Sequence, residues 1–207
     1  AAQVLLAPRC VLGLATGSTP VGMYDELSAR CAAGRLSFAQ VTSVNLDEYV
    51  GLTPDHPQSY RYFMDTHLFS RVDIRREATH VPDGLAADPQ QAGAAYDRMI
   101  EELGGIDLQV LGIGNNGHIG FNEPADTYTA QTHIVALQPS TINANARFFT
   151  SADEVPTHAI TMGMRAIMQA RRILLLAGAE KRQIVERAFT GPVTPQVPAS
   201  LLQLHPD

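Results

Sequence analysis

Four side chains suited to proton transfer or its support, Asn116, His118, Asn122 and Glu123, fall within eight positions of the stretch VLGIGNNGHIGFNEP, residues 110–124. An apolar run ends in glycines just ahead of them. Imidazole takes and gives a proton near neutral pH. Glu123, five residues after His118, offers a carboxylate to orient it, and the amides offer neutral hydrogen-bond partners. A histidine at a strand end among such neighbours points to acid–base work rather than to a packed or solvated ring.

A second pair, Asp47 and Glu48, follows the apolar run VTSVNL at 41–46. Two readings stay open for it. One is a general base, which works best with its pKa raised toward neutrality in a partly buried pocket. The other is a turn or helix cap. A third feature, ATGSTP at 15–20, puts Gly17, Ser18 and Thr19 ahead of a helical pattern. Unpaired backbone N–H groups with two hydroxyls make an anion site, and the same residues also serve as a plain helix cap. It is not a Walker A loop, because no Gly-Lys-Ser/Thr follows. Arg147 and Lys181 are candidate phosphate contacts. His56, His67, His80, His133, His158 and His205 lack ligand spacing and are read as non-metal.

These groups need a frame. Apolar runs at 10–15, 41–46, 107–114, 133–138 and 171–178 read as strands, and helical patterns at 20–34, 59–69, 88–105 and 179–189 lie between them. Residues 158–170 mix both signals. Continuous apolar strands separated by helices predict an α/β fold, a mainly parallel sheet with helices on both faces in a Rossmann-like three-layer sandwich. In such sheets ligands bind beyond the carboxyl ends of the strands. The ends of four runs carry Gly17–Ser18–Thr19, Asp47–Glu48, the Asn116–His118–Glu123 group and Lys181, so all are expected on one edge. Gly112, Gly114 and Gly117 match G-x-G-x-x-G, but Pro124 forbids the long helix a dinucleotide site requires.

Composition sets limits. The 207 residues are 45% hydrophobic and 17% charged, with a net charge of −6. One domain over 1–207 is the expectation. No basic stripe suits nucleic acid, and no apolar run approaches the roughly 20 residues of a membrane span. Two cysteines without metal spacing fit reduced thiols in a cytoplasmic protein. The start lacks both an initiator Met and the charged opening of a signal peptide, so both ends are read as cut, with flanking elements missing.

Taken in order, LGLATGSTPVGMYDEL, VNLDEYVGL, LGIGNNGHIGFNEP, NARFF and ITMGM resemble the glucosamine-6-phosphate deaminases, over about Val11 to Gly191. The resemblance implies conversion of D-glucosamine 6-phosphate to D-fructose 6-phosphate and ammonia, with no metal and no organic cofactor. Position by position it implies Asp47 as the base for the C2 proton and His118 as the group that opens the sugar ring. Glu123 and Asn116 become its partners. Thr16, Gly17, Ser18, Thr19, Gly112, Arg147 and Lys181 become substrate and phosphate contacts. It also implies a lid over about 132–162 and a monomer or homo-oligomer.

Two departures stand out. Many members carry Asp where this chain has Asn116, and Asn cannot stabilise an imidazolium by charge, which leaves Glu123 as the main charged partner. Allosteric members carry a basic pair where this chain reads Thr132-His133-Ile134-Val135, so no activation by the acetylated sugar phosphate is expected. The wider family includes 6-phosphogluconolactonases, which do not normally carry the F-N-E-P continuation. Lactone hydrolysis and a non-catalytic sugar-phosphate binding module are the competing readings.

Overall fold

The computed structural model describes residues 1–207 except 139–141, 144–145, 147–148, 150 and 152–153. The strands, in chain order, are β1 (Val11–Leu14), β2 (Thr42–Asn45), β3 (Asp47–Tyr49), β4 (Thr79–His80), β5 (Leu108–Leu111), β6 (His133–Ala136), β7 (His158–Thr161) and β8 (Ile173–Leu175). The helices are α1 (Ala2–Leu6), α2 (Val21–Ala32), α3 (Tyr60–His67), α4 (Pro89–Glu102), α5 (Met164–Met168) and α6 (Arg182–Thr190).

Five strands form a parallel sheet in the order β4-β2-β1-β5-β8. All four residues of β1 are buried, as a strand covered on both faces requires. Alternate residues serve opposite layers. Leu12 and Leu14 pack with Val4, Tyr24, Leu27 and Met64 from α1, α2 and α3. Val11, Val44 and Leu111 pack with Tyr96 and Ile100 of α4, Ile167 of α5 and Ile184 of α6. The three-layer arrangement expected from the run pattern is therefore present.

The second sheet is antiparallel, in the order β3-β7-β6. The run at 133–138 is a strand, as read, but it belongs to this smaller sheet. Residues 158–170 gave both signals because they contain both elements, β7 and then α5. One residue, Leu46, carries the chain from β2 into β3. Its N–H donates to the Leu14 carbonyl at 3.1 Å, and its carbonyl accepts from Met162 N–H at 2.6 Å. Asp47 and Glu48 are thus not a loop after the second strand. They open a new strand whose partner is β7, with Asp47 opposite Thr161.

Helix starts follow local chemistry in part. Asp88 accepts from Gln91 N–H and Pro89 opens α4, as the sequence dictates. At α2 the expected Ser18 or Thr19 cap is absent: the N-cap is Pro20, in helical geometry, with no side-chain cap bond. A tight turn over 17–20, with Gly17 at φ 92°, occupies the place of that cap and leaves both hydroxyls exposed.

Candidate active site

Asp47 is 6% exposed. Its flanks are Thr161 across the ladder and the tight turn at Gly120, where an added Cβ would lie 3.5 Å from Asp47 Oδ2 and 2.9 Å from Thr161 Oγ1. Gly120 also has φ 58°, so any side chain here would be strained as well as crowded. The Thr161 hydroxyl accepts from Phe121 N–H at 3.0 Å and pins that turn to β7. Burial, then the adjacent Glu48 charge, pushes the Asp47 carboxyl up to about 8. No described residue donates a hydrogen bond to it.

Glu48 has the other role left open by the sequence. Its carboxylate accepts from Tyr49 N–H and Tyr60 N–H, each at 2.8 Å, and from Arg61 N–H at 2.9 Å. It satisfies the first free N–H groups of α3, while Ser59 caps the same helix through Tyr62 N–H. Burial raises its pKa and those three bonds oppose the rise. The acidic pair is therefore divided: no described residue donates to one carboxylate, and the other holds a helix.

His118 lies in the turn after β5. Its Nδ1 is 2.7 Å from Asn116 Oδ1, and Asn116 Nδ2 donates to Glu123 Oε2 at 2.6 Å. The amide oxygen only accepts, so Nδ1 carries a proton and Nε2 is left for a ligand. Glu123 Oε2 is 3.5 Å from Nδ1. Asn116, rather than Glu123, is the ring's direct partner, and the carboxylate acts largely by fixing the amide. The ring lies on Gly114, where an added Cβ would be 2.2 Å from an imidazole carbon. A Gly114→Ala variant is expected to stay folded, displace the imidazole and lower kcat by about 100-fold, measured by steady-state kinetics beside circular dichroism.

The candidate anion contacts follow neighbouring strands. Gly17, Ser18 and Thr19 follow β1, Gly112 and Asn115 follow β5, and Lys181 follows β8, three adjacent strands. Lys181 Nζ donates to Asn115 Oδ1 at 2.5 Å, which ties the end of β8 to that of β5. Arg147 lies outside the described residues, as does part of the span 132–162.

One residue that sequence reasoning passed over is Tyr60. Its ring is stacked on Phe121 at 6.0 Å with planes 6° apart, and its phenol lies beside the side chains of Thr16 and Tyr49. Burial first, then Tyr49 and Asp47, keep the phenol well above its usual pKa. It joins the helix held by Glu48 to the loop after β1 and to the His118 turn. The run QSY at 58–60 carries no signal of this beyond the Ser59 cap.

A cavity of about 370 Å³ between Pro54 and α3 contains none of these groups. A cavity of about 200 Å³ adjoins Glu123 and is lined by Tyr128, His133 and Pro195, with no Lys or Arg among its described residues. Among the described residues, no cluster of three His, Cys, Asp or Glu groups is placed to hold a metal ion.

Known proteins resemble this chain in sequence and in fold. A glucosamine-6-phosphate deaminase of Lachnoclostridium phytofermentans is 60% identical over 207 residues, which span all of this chain and 88% of that protein. One from Clostridium perfringens is 54% identical over 201 residues, covering 97% of this chain and 83% of its own length. A solved monomeric glucosamine-6-phosphate deaminase superposes with a TM-score of 0.95 at 42% identity, over 99% of this chain and 86% of that one. A 6-phosphogluconolactonase from Thermotoga maritima shares the fold alone, with a TM-score of 0.71 at 21% identity. The family described as glucosamine-6-phosphate isomerases/6-phosphogluconolactonase matches residues 2–206, and this chain belongs to it.

Proposed function

We propose that the protein converts D-glucosamine 6-phosphate to D-fructose 6-phosphate and ammonia. The observation that carries this reading is Asp47, a buried carboxyl to which no described residue donates a hydrogen bond, beside the Gly120 turn that follows the oriented imidazole of His118. The names of the close relatives point the same way.

The division of labour follows from the chemistry. The sugar must open first, because C2–H is acidified only beside a carbonyl. His118 moves the proton between O1 and O5 through Nε2, with Asn116 and Glu123 holding the ring. Asp47 then takes the C2 proton to give an enolamine, which is protonated at C1. Water attacks the ketimine at C2 and ammonia leaves. The phosphate does no chemistry. Held by Thr16, Gly17, Ser18, Thr19, Gly112, Arg147 and Lys181, it supplies remote binding energy that positions the reacting carbons. No metal or organic cofactor is called for by these steps.

The unit is one domain over 1–207, with 132–162 as a cover over the site. A sugar phosphate substrate and the free thiols Cys10 and Cys31 support a cytoplasmic setting. The monomeric structural neighbour supports a monomer. The stretch Thr132-His133-Ile134-Val135, which lacks the basic pair of the allosteric members, supports an enzyme that does not respond to N-acetylglucosamine 6-phosphate. Initial rates at low substrate are expected to stay flat on its addition, and a steep rise would contradict this.

Assay of ammonia and fructose 6-phosphate on glucosamine 6-phosphate, run beside hydrolysis of 6-phosphogluconolactone, tests the reading. Release of ammonia without lactonase activity is expected. The reverse pattern would replace it with lactone hydrolysis, and substrate binding with no turnover of either would leave a binding module. Asn116→Asp is expected to move the His118 NMR titration to higher pH than in the parent, since a carboxylate then faces Nδ1.

A further inference from the structure

Asp47 and Glu48 are consecutive carboxylates, 6% and 4% exposed. Glu48 has three backbone N–H donors, and no described residue donates to Asp47. Among the described residues, no Arg, Lys or His pairs with either. The groups that face Asp47 are the Thr161 hydroxyl from β7, the glycine turn at 120, the Tyr60 phenol from α3 and the Tyr96 phenol from α4, together with Glu48 on its own strand. All but Glu48 are neutral. An anion buried this way, beside a second carboxylate, is costly unless a cation reaches it. The described protein supplies none.

A base placed to take the proton from C2 necessarily lies beside the substituent bonded to C2. In an amino sugar that substituent is an ammonium. We infer that the cation missing from this site is the C2 ammonium of the substrate, so that binding an amino sugar phosphate ionises Asp47 and binding a hydroxy sugar phosphate does not. This rests on the function proposed above and adds to it a reason for substrate choice. A C2-hydroxyl sugar phosphate can occupy the phosphate groups equally well, yet it leaves the base protonated. Selection then needs no steric filter at C2. It is set by charge at a buried carboxyl with which no described Arg, Lys or His pairs.

The proton balance is explicit. With its carboxyl held up by burial and by Glu48, Asp47 rests protonated at pH 7. The ligand arrives as an ammonium, the carboxyl proton passes to solvent, and an ammonium–carboxylate pair forms. One proton leaves per ligand bound, whichever partner gives it up first.

Two open-chain probes that cannot turn over separate the amine from the rest of the ligand: 2-amino-2-deoxy-D-glucitol 6-phosphate and D-glucitol 6-phosphate. Titration calorimetry at pH 7, in buffers of different protonation enthalpy, reads both affinity and proton release. The amino compound is expected to bind about 10- to 100-fold more tightly and to release close to one proton, while the hydroxy compound releases none. Asp47→Asn is expected to bring the two affinities together. Equal affinities in the parent protein, or tight amine binding without proton release, would overturn the inference. Ammonia release by the same preparation separates the two levels. If ammonia is released while the probes bind alike, the charge-selection idea fails and the deaminase reading stands. If none is released, the functional reading falls and takes this inference with it.

Discussion

Asp47→Asn is expected to lower kcat by about 10³- to 10⁴-fold and to weaken binding of the amino sugar phosphate by about 10- to 100-fold, because an amide has the shape of the base but can neither accept the carbon-bound proton nor pair with the C2 ammonium. The same substitution is expected to stabilise the fold at alkaline pH. The folded Asp47 carboxyl is held near 8, far above an unfolded aspartate, by burial and by Glu48. The folded state therefore holds a proton that the unfolded chain has already lost. That contribution to stability is full below the unfolded pKa and is lost as pH rises through the folded value. Between about pH 4 and pH 8 the parent should lose stability relative to Asp47→Asn, by a few kcal/mol in all. Thermal melts of both proteins across that window check the sign. A constant difference would show that Asp47 does not titrate as its surroundings dictate.

Glu48→Ala is expected to be the most destabilising single change among the groups described here. It strands three backbone N–H groups, of Tyr49, Tyr60 and Arg61, in a largely buried place. Each unsatisfied donor costs about 1–3 kcal/mol, so a total of about 3–5 kcal/mol is expected after relaxation. For a chain of this size that lowers the melting temperature by roughly 10 °C. Glu48→Gln keeps one acceptor oxygen and should recover part of the loss. Because α3 carries Tyr60 against Thr16 and Phe121, activity should fall along with stability in the alanine variant. A melting point equal to the parent's would mean that water replaces the cap without cost.

Adjacent in sequence and opposite in role, these two carboxylates show how far the sequence could be read. VTSVNL followed by Asp-Glu pointed to a strand end, and both a base and a cap were open readings. The structure places the cap on Glu48, and the base reading stays with Asp47 as proposed above. Nothing local could assign them, because the N–H groups that Glu48 satisfies lie 12 and 13 positions away on α3. The partner that makes Asp47 part of a strand, Thr161, lies across a sheet formed only in the tertiary fold. The parallel sheet was legible because strands buried on both faces read as unbroken apolar runs. The small antiparallel sheet was not, since β3 has three residues and two of them are acidic. His118, Asn116 and Glu123 were legible because their contacts are local, within seven residues. Tyr60 was missed because its value comes from packing against Thr16 and Phe121, which no spacing rule encodes.

Deuterium at C2 of glucosamine 6-phosphate provides the most direct test of the claim that Asp47 takes the C2 proton. With the parent protein, ammonia release should slow with a primary isotope effect, or deuterium should wash into water during turnover. Asp47→Asn, folded and still binding the sugar phosphate, should do neither at a measurable rate. Loss of C2 deuterium by that variant at the parent's rate would contradict the assignment and move the base elsewhere in the site.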